Sequence, residues 1–459
     1  MRQRTIRLAA TGARIATGAV VAAACVLGVV SAVAAPLPGV TRAATGTTVA
    51  PVPGDTVLVC NGSYRVLGRD AGQAQLMVSA GIPQLRSDAE GDPAETEPLT
   101  MADVAGGTRG LILTGRVKDR KAQPIAASES LTLDAPDARG FAAAPCREPA
   151  MSTWLVGGDV STGASDVIVL SNPGDVPATV DLFVYGESRA ASNVVVPPKT
   201  QRGVALAAIA AGELSPVVQV VSSGAPVRAA LQSTKVRTLD AVGIDVQDGV
   251  GGAQQDLQIV GVRAQTLSEG DDATGLVVRM LSPEYDALAM VRVRAADSAA
   301  VIDEYPVELT QSKPTEIALS GIATGVYDIE IEADQPIVAA AMQTARAGAA
   351  TDFAWMTPAP EIASKLMFSV PDGPAAQLQL RNTEDEPITV ELEGAGGQTI
   401  EIPASGSATV PVRTGAYSLT PSGPVHAAVT MRGGADSAAI AGWPLWAGAA
   451  EQQPILVHP

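Results

Sequence analysis

The chain reads as all-β: tandem immunoglobulin-like β-sandwich domains behind an N-terminal membrane segment. Three observations carry that reading. The first is a recurring pair of landmarks. Ala225-Pro226-Val227-Arg228-Ala229-Ala230, Gln335-Pro336-Ile337-Val338-Ala339-Ala340 and Gly423-Pro424-Val425-His426-Ala427-Ala428 each close a stretch opened by a matching strand and turn, at Val167–Pro173, Val277–Pro283 and Leu378–Thr383. Positions 173 and 226 lie 53 apart, as do 283 and 336, while 383 and 424 lie 41 apart. Shared intervals between shared landmarks are what tandem copies of one domain leave behind. The second is alternation. Ile388, Val390 and Leu392 alternate with Thr389 and Glu391, and Tyr327, Ile329 and Ile331 with Asp328, Glu330 and Glu332, which predicts one buried and one wet face. The third is the frequency of turn signals such as Ser171-Asn172-Pro173-Gly174-Asp175 between short β-rich runs, in copies of about a hundred residues.

The first element is the export segment, residues 1–35. Arg2, Arg4, Arg7 and Arg14 precede an apolar run from Ile15 to Ala35, and no acid occurs before Asp55. Basic residues ahead of an apolar run mark an export signal and keep that end in the cytoplasm. Two fates are open. The run is long enough to span a bilayer, which makes a single-pass membrane protein with an extracytoplasmic C-terminal region. Ala32-Val33-Ala34 also resembles a cleavage site, which makes a secreted protein; the anchor is preferred. Cys25 does not suit a lipidated cysteine, because the apolar run continues beyond it.

Residues 36–54, rich in Pro, Gly, Thr and Ala, read as a tether. Residues 55–150 form an N-terminal β domain with strands near Thr56–Cys60, Leu111–Val117 and Ser130–Leu133, and with Ser87–Pro98 as an exposed acidic loop. Three sandwich repeats follow at 151–250, 251–360 and 361–459. Arg202–Leu214 is the one segment where a helical turn competes.

Composition excludes some partners. At a net charge of −17 over 459 residues, with the arginines of the export segment offsetting part of it, the exported portion repels nucleic acid and anionic headgroups. Cys60 and Cys146 are the two cysteines beyond the export segment, and in an oxidising compartment they predict a disulfide. Two distant thiols in a chain with two histidines do not complete a structural zinc site; no cofactor is expected.

Catalytic motifs are missing: there is no nucleophile elbow, zinc helix or phosphate loop. His426 occupies a strand position where the other copies carry Arg228 and Val338, and is read as structural; His458 lies at the terminus. Asp303-Glu304 and Glu384-Asp385-Glu386 are assigned to turns, without the facing geometry of a glycosidase pair. Glu269, Asp271 and Asp272 suggest calcium, against the favoured reading of a solvated linker. Trp355 and Trp443 each stand 19 residues past their landmark prolines, Pro336 and Pro424. With Trp154 and Trp446 they are candidates for stacking on a sugar ring, although equivalent placement favours packing.

Gly140-Phe141-Ala142-Ala143-Ala144-Pro145-Cys146, Trp154-Leu155-Val156-Gly157-Gly158 and Leu170 to Asp181 (LSNPGDVPATVD) resemble an uncharacterised family of exported, membrane-anchored actinobacterial proteins, a domain of unknown function. The second copy departs from it at Leu281-Ser282-Pro283-Glu284-Tyr285. The resemblance implies a membrane segment and genes that neighbour glycosyltransferases of envelope synthesis, and it implies no reaction. The expectation is therefore a non-enzymatic envelope protein, a rod of sandwiches acting as a scaffold or interaction module for an envelope protein or cell-wall glycan. The alternative is a carbohydrate-binding accessory in envelope glycan assembly.

Overall fold

The computed structural model describes residues 2–34, 47–49, 53–67, 77–101, 103–106, 108–265, 275–296, 298, 300–448 and 455–457. The calcium candidates Glu269, Asp271 and Asp272, most of the tether and His458 lie outside the described residues. Two units separate. In the smaller, helix α1 runs Arg2–Ala34 and strand Thr47–Val49 pairs antiparallel with Ile455–Val457. The side chains described in α1, Ile15 to Ser31, are exposed. Among the described residues no helix is long and apolar enough to cross a membrane.

The larger unit is all-β, with many separate sheets. Segment 151–250 builds two of them. Strand Ala164–Asn172 lies between Thr200–Ala205 and Arg228–Arg237, and the latter pairs onward with Asp240–Asp248. Opposite it, Val217–Ser223 lies between Ser152–Leu155 and Ala178–Tyr185, which pairs with Arg189–Val196. Ile168, Leu170 and Leu231 from one sheet meet Val180, Leu182, Val218 and Val220 from the other in a single core. Alternation explains the arrangement, since residues two apart share a face.

The same strand order recurs in segment 361–459: Ser407–Val412, Ala375–Arg381, Val425–Arg432, Ile440–Pro444 in one sheet, and Leu366–Val370, Gly415–Pro421, Ile388–Glu393, Gln398–Ile402 in the other. Segment 251–360 repeats it with one change. A continuous strand, Gly325–Ala347, crosses from one sheet to the other and serves both. The helical turn near Arg202–Leu214 is a strand, Thr200–Ala205, followed by one short helix, α2, Leu206–Ile209.

Three sequence expectations are corrected. Ser87–Pro98 is not a loop: Gln84–Ala89 pairs with Ile125–Ala135, and Glu95–Pro98 pairs with Leu111–Gly115. Backbone pairing outweighs the acidic composition because its side chains still reach water. Asp303 and Glu304 lie within strand Val301–Leu309 rather than a turn; there Glu304 pairs with Arg292 across the ladder at 3.0 Å. Glu384–Glu386 do form the turn expected of them. Finally, Asp328 and Glu330 are buried instead of wet. Asp328 accepts from the Gly261 amide at 2.9 Å, while Glu330 pairs with Arg292 and Arg294 at 2.9 and 2.8 Å. Arg381 of the next segment closes over the same carboxylate at 3.8 Å.

The segments also do not follow one another as a rod. Strand Ala138–Pro145 packs against Asp240–Asp248, Ala350–Met356 and Ile440–Pro444, one strand from each of the three segments. Asp352 is the fastener at this hub. Its Oδ2 accepts from the Phe141 amide at 2.8 Å and its Oδ1 from the Ile244 amide at 3.1 Å. Gly140 and Gly243 leave room for it: both have positive φ, and a Cβ on either would meet Asp352 Oδ1 at 2.5 or 2.9 Å. Burial raises the Asp352 carboxyl well above the usual range. The resemblance motif beginning at Gly140 is thus the strand that gathers the three segments.

Candidate ligand cavity

Cys146 lines a cavity shared by three parts of the chain. Cys60 and Cys146 form a disulfide, closing a sequence separation of 86. Beside it the backbones of Val59 and Arg147 exchange hydrogen bonds at 2.8 and 3.1 Å. Crosslink and bridge together fix the direction in which Arg147 leaves the sheet. The carboxyl of Glu129 packs against the same crosslink, one of its oxygens and the two sulfurs lying within 4.8 Å of one another. It accepts from the amides of Asn61 and Gly62 at 2.6 and 3.1 Å. Its pKa is raised by burial, a push opposed by the charge of Arg228 and by these amides.

The cavity encloses about 610 Å³, within the range of small-molecule sites. Three parts of the chain wall it. The N-terminal domain supplies Leu58, Ile125 and Arg147, segment 151–250 supplies Arg228 and Asp248, and segment 361–459 supplies Phe368 and Trp446. Most of the wall is apolar, and its polar atoms are unevenly used. Arg228 is consumed: it pairs with Asp248 at 2.8 Å, donates to the Pro145 carbonyl at 2.9 Å and reaches Asn61 Oδ1. Only its Nε has no partner.

Arg147 is different. Its guanidinium lies 4.1 Å from the centre of the Trp446 ring, a cation–π contact. No hydrogen bond or ion pair engages its side chain among the described residues. Burial pulls its pKa down to about 10, with Asp248 and Glu148 opposing that and Arg228 adding to it, so the group stays charged at neutral pH. The indole Nε1 of Trp446 is a buried donor without a partner. Indole and guanidinium nitrogens only donate. Unsatisfied donors at one place in an apolar cavity are arranged for an acceptor, and a full positive charge among them favours an anionic one. Gly251 completes the fit on the far edge, where a Cβ would meet the ring at 3.3 Å.

The four tryptophans separate cleanly. Trp154, Trp355 and Trp443 are 5%, 5% and 3% exposed and belong to hydrophobic clusters. Trp446 is half-buried and lines the cavity, where the buried Trp443 also contributes to the wall. His426 is half-buried, its Nδ1 2.8 Å from the Ala359 carbonyl, and desolvation lowers its pKa. Sequence reasoning missed Arg147. Its one local signal was its position directly after Cys146; its partner lies at the far end of the chain.

Comparisons with known proteins add the following. No curated protein matches the sequence. One solved structure, titled "Crystal Structure of Thermotoga maritima 1070", is 16% identical, covering 22% of this chain and 95% of its own, with a TM-score of 0.21; a likeness that low says nothing about fold or function. A family profile described as "Family of unknown function (DUF5719)" matches residues 101–415, more than half of the chain. The chain therefore belongs to the family of unknown function DUF5719.

Proposed function

We propose that the protein is a non-enzymatic, extracytoplasmic interaction module of the cell envelope, held at the membrane by its N-terminal segment or released from it. Its three segments are read as duplicated immunoglobulin-like sandwiches gathered on an N-terminal β domain. Its binding site is the 610 Å³ cavity, and the occupant is an anionic group, carboxylate or phosphate, carried on an apolar body. One observation carries this reading: Trp446 Nε1 is a buried donor without a partner, and the Arg147 guanidinium stacked on the same ring makes no hydrogen bond among the described residues. The carbohydrate-binding alternative rests on Trp446 alone, because the other three tryptophans are buried.

Titration of the full chain with decyl phosphate and with decyltrimethylammonium, followed by calorimetry, tests the reading. Saturable binding of the phosphate alone, weakened at least tenfold in Arg147→Ala, supports it. Equal binding of both probes, or binding unchanged in that variant, removes it.

A further inference from the structure

A second cavity, of about 360 Å³, opens where segments 151–250 and 251–360 meet. Its electrostatics are the reverse of the first. The two cations on its wall are already consumed. Lys235 pairs with Asp159 at 2.8 Å. Arg279 Nη1 donates to the carbonyls of Val156, Gly158 and Pro216 at 3.2, 2.8 and 3.1 Å, and its Nε and Nη2 both reach Glu316 Oε2, at 3.0 and 2.8 Å. Ser215 Oγ donates to that same oxygen at 3.0 Å, so Glu316 Oε1 is left without a partner among the described residues.

Across the cavity stands Asp166, only 5% exposed. Its Oδ2 accepts from the Asp159 amide at 2.8 Å and from Ser233 Oγ at 3.0 Å, while its Oδ1 takes no hydrogen bond among the described residues. A buried carboxylate with an unused oxygen is costly unless something supplies a donor or a charge. Asp166 Oδ1 from one segment and Oε1 of the exposed Glu316 from the other line one cavity, whose remaining wall includes Phe353 and Trp355, the latter carrying the Arg279 guanidinium 4.8 Å from its ring centre. Two open anionic acceptors in one cavity suit an ammonium group, which carries a positive charge and only donates.

We propose that this cavity is a binding site for a primary ammonium group, received by Asp166 Oδ1 and Glu316 Oε1. It is separate from the anion-binding cavity and does not depend on that reading. The source of the ammonium, a free amine or a lysine side chain of a polypeptide, is decided by experiment. Asp166 is pushed up to about 7, chiefly by burial and further by Asp159, with Arg279 opposing. Other charged or titratable groups around it are Lys235, Glu213, Asp245, Tyr64 and Glu316. Binding a cation therefore favours loss of its proton, and affinity rises with pH through about 7.

The test is calorimetry of the full chain with n-butylammonium and with Nα-acetyl-lysine methylamide, at pH 6 and pH 8. The expected result is saturable binding of at least one probe, at least tenfold tighter at pH 8, with proton release at pH 6. Asp166→Asn and the less buried Glu316→Gln each weaken it at least tenfold, while Asp436→Asn, an exposed acid elsewhere, leaves it unchanged. Binding of butylammonium alone identifies a free amine; binding of the lysine derivative identifies a polypeptide side chain. Failure of both probes to saturate at 10 mM with folded protein, or equal affinity in Glu316→Gln, overturns the proposal. The decyl phosphate titration is unaffected either way, so the two sites fail independently.

Discussion

Asn172 and Asn382 make the same three hydrogen bonds. The Asn172 amide donates to the carbonyls of Val176 and Val196 at 2.8 and 3.0 Å, and its oxygen accepts from the Gly174 amide at 2.9 Å. The Asn382 amide donates to the carbonyls of Glu386 and Pro403 at 2.8 and 3.0 Å, and its oxygen accepts from the Glu384 amide at 2.9 Å. Each residue folds its own turn and ties it to a distant strand end. The two turns stand at the same place in two sheets of the same strand order. At the corresponding position, Ser282 is too short to reach, and its Oγ is buried without a partner. That turn is held instead by Ser312 Oγ, which donates to the Pro283 carbonyl at 3.0 Å.

Asn172→Ala and Asn382→Ala should each cost about 1–3 kcal/mol, because buried carbonyls lose their donor. Far apart and without shared partners, the two losses should add to within about 0.5 kcal/mol. Urea unfolding of the single and double variants checks both statements.

Reducing Cys60–Cys146 should lower the melting temperature. A closed loop of this length restrains the unfolded chain by about 4–5 kcal/mol in the entropic account. The crosslink also holds the bridge that orients Arg147, so reduced protein that remains folded should bind decyl phosphate more weakly. A melt unchanged after confirmed reduction would remove the stabilising role.

Tryptophan substitutions should divide by burial. Trp443→Ala empties a core position and should cost about 3–5 kcal/mol. Trp446→Phe should change stability by less than about 1 kcal/mol, yet weaken decyl phosphate binding, since it removes the indole donor but keeps a ring. Thermal melts and calorimetry on the same preparations separate the two effects.

Burial pushes Asp166 and Asp245 up to about 7. Trp355 donates its amide to Asp245 at 2.8 Å across the boundary between two segments. Because the folded pKa lies above the unfolded value, the folded state holds the extra protons between about pH 4 and 7. The stability these groups contribute is present at low pH and is lost as pH rises through 7. Asp245→Asn keeps the acceptor and removes the titration. Its stability relative to the parent should improve between pH 5 and 7 by about 1.4 kcal/mol per pH unit, as read from urea midpoints.

Local chemistry was legible in the sequence, and assembly was not. The turn at Asn172 announces itself because Asn-Pro-Gly acts within a few residues, and the alternation of Ile388, Val390 and Leu392 survives as a buried face. Alternation failed at Asp328 and Glu330, where every second residue is polar but the polar face is covered by three arginines from two strands. A strand pattern reports polarity, and only the packed neighbours decide whether polarity meets water or a counter-charge. The cavity shows the same limit. Arg147 and Trp446 are separated by most of the chain, and neither carries a local pattern that names the other.

The most direct test is the indole N–H resonance of Trp446, assigned by its loss in Trp446→Phe, in proton–nitrogen correlation spectra of the full chain. Addition of decyl phosphate should move this signal downfield to saturation while the other three indoles stay in place, and decyltrimethylammonium should leave it unmoved. A stationary Trp446 signal, or the same displacement with the cationic probe, would contradict an anion-binding cavity.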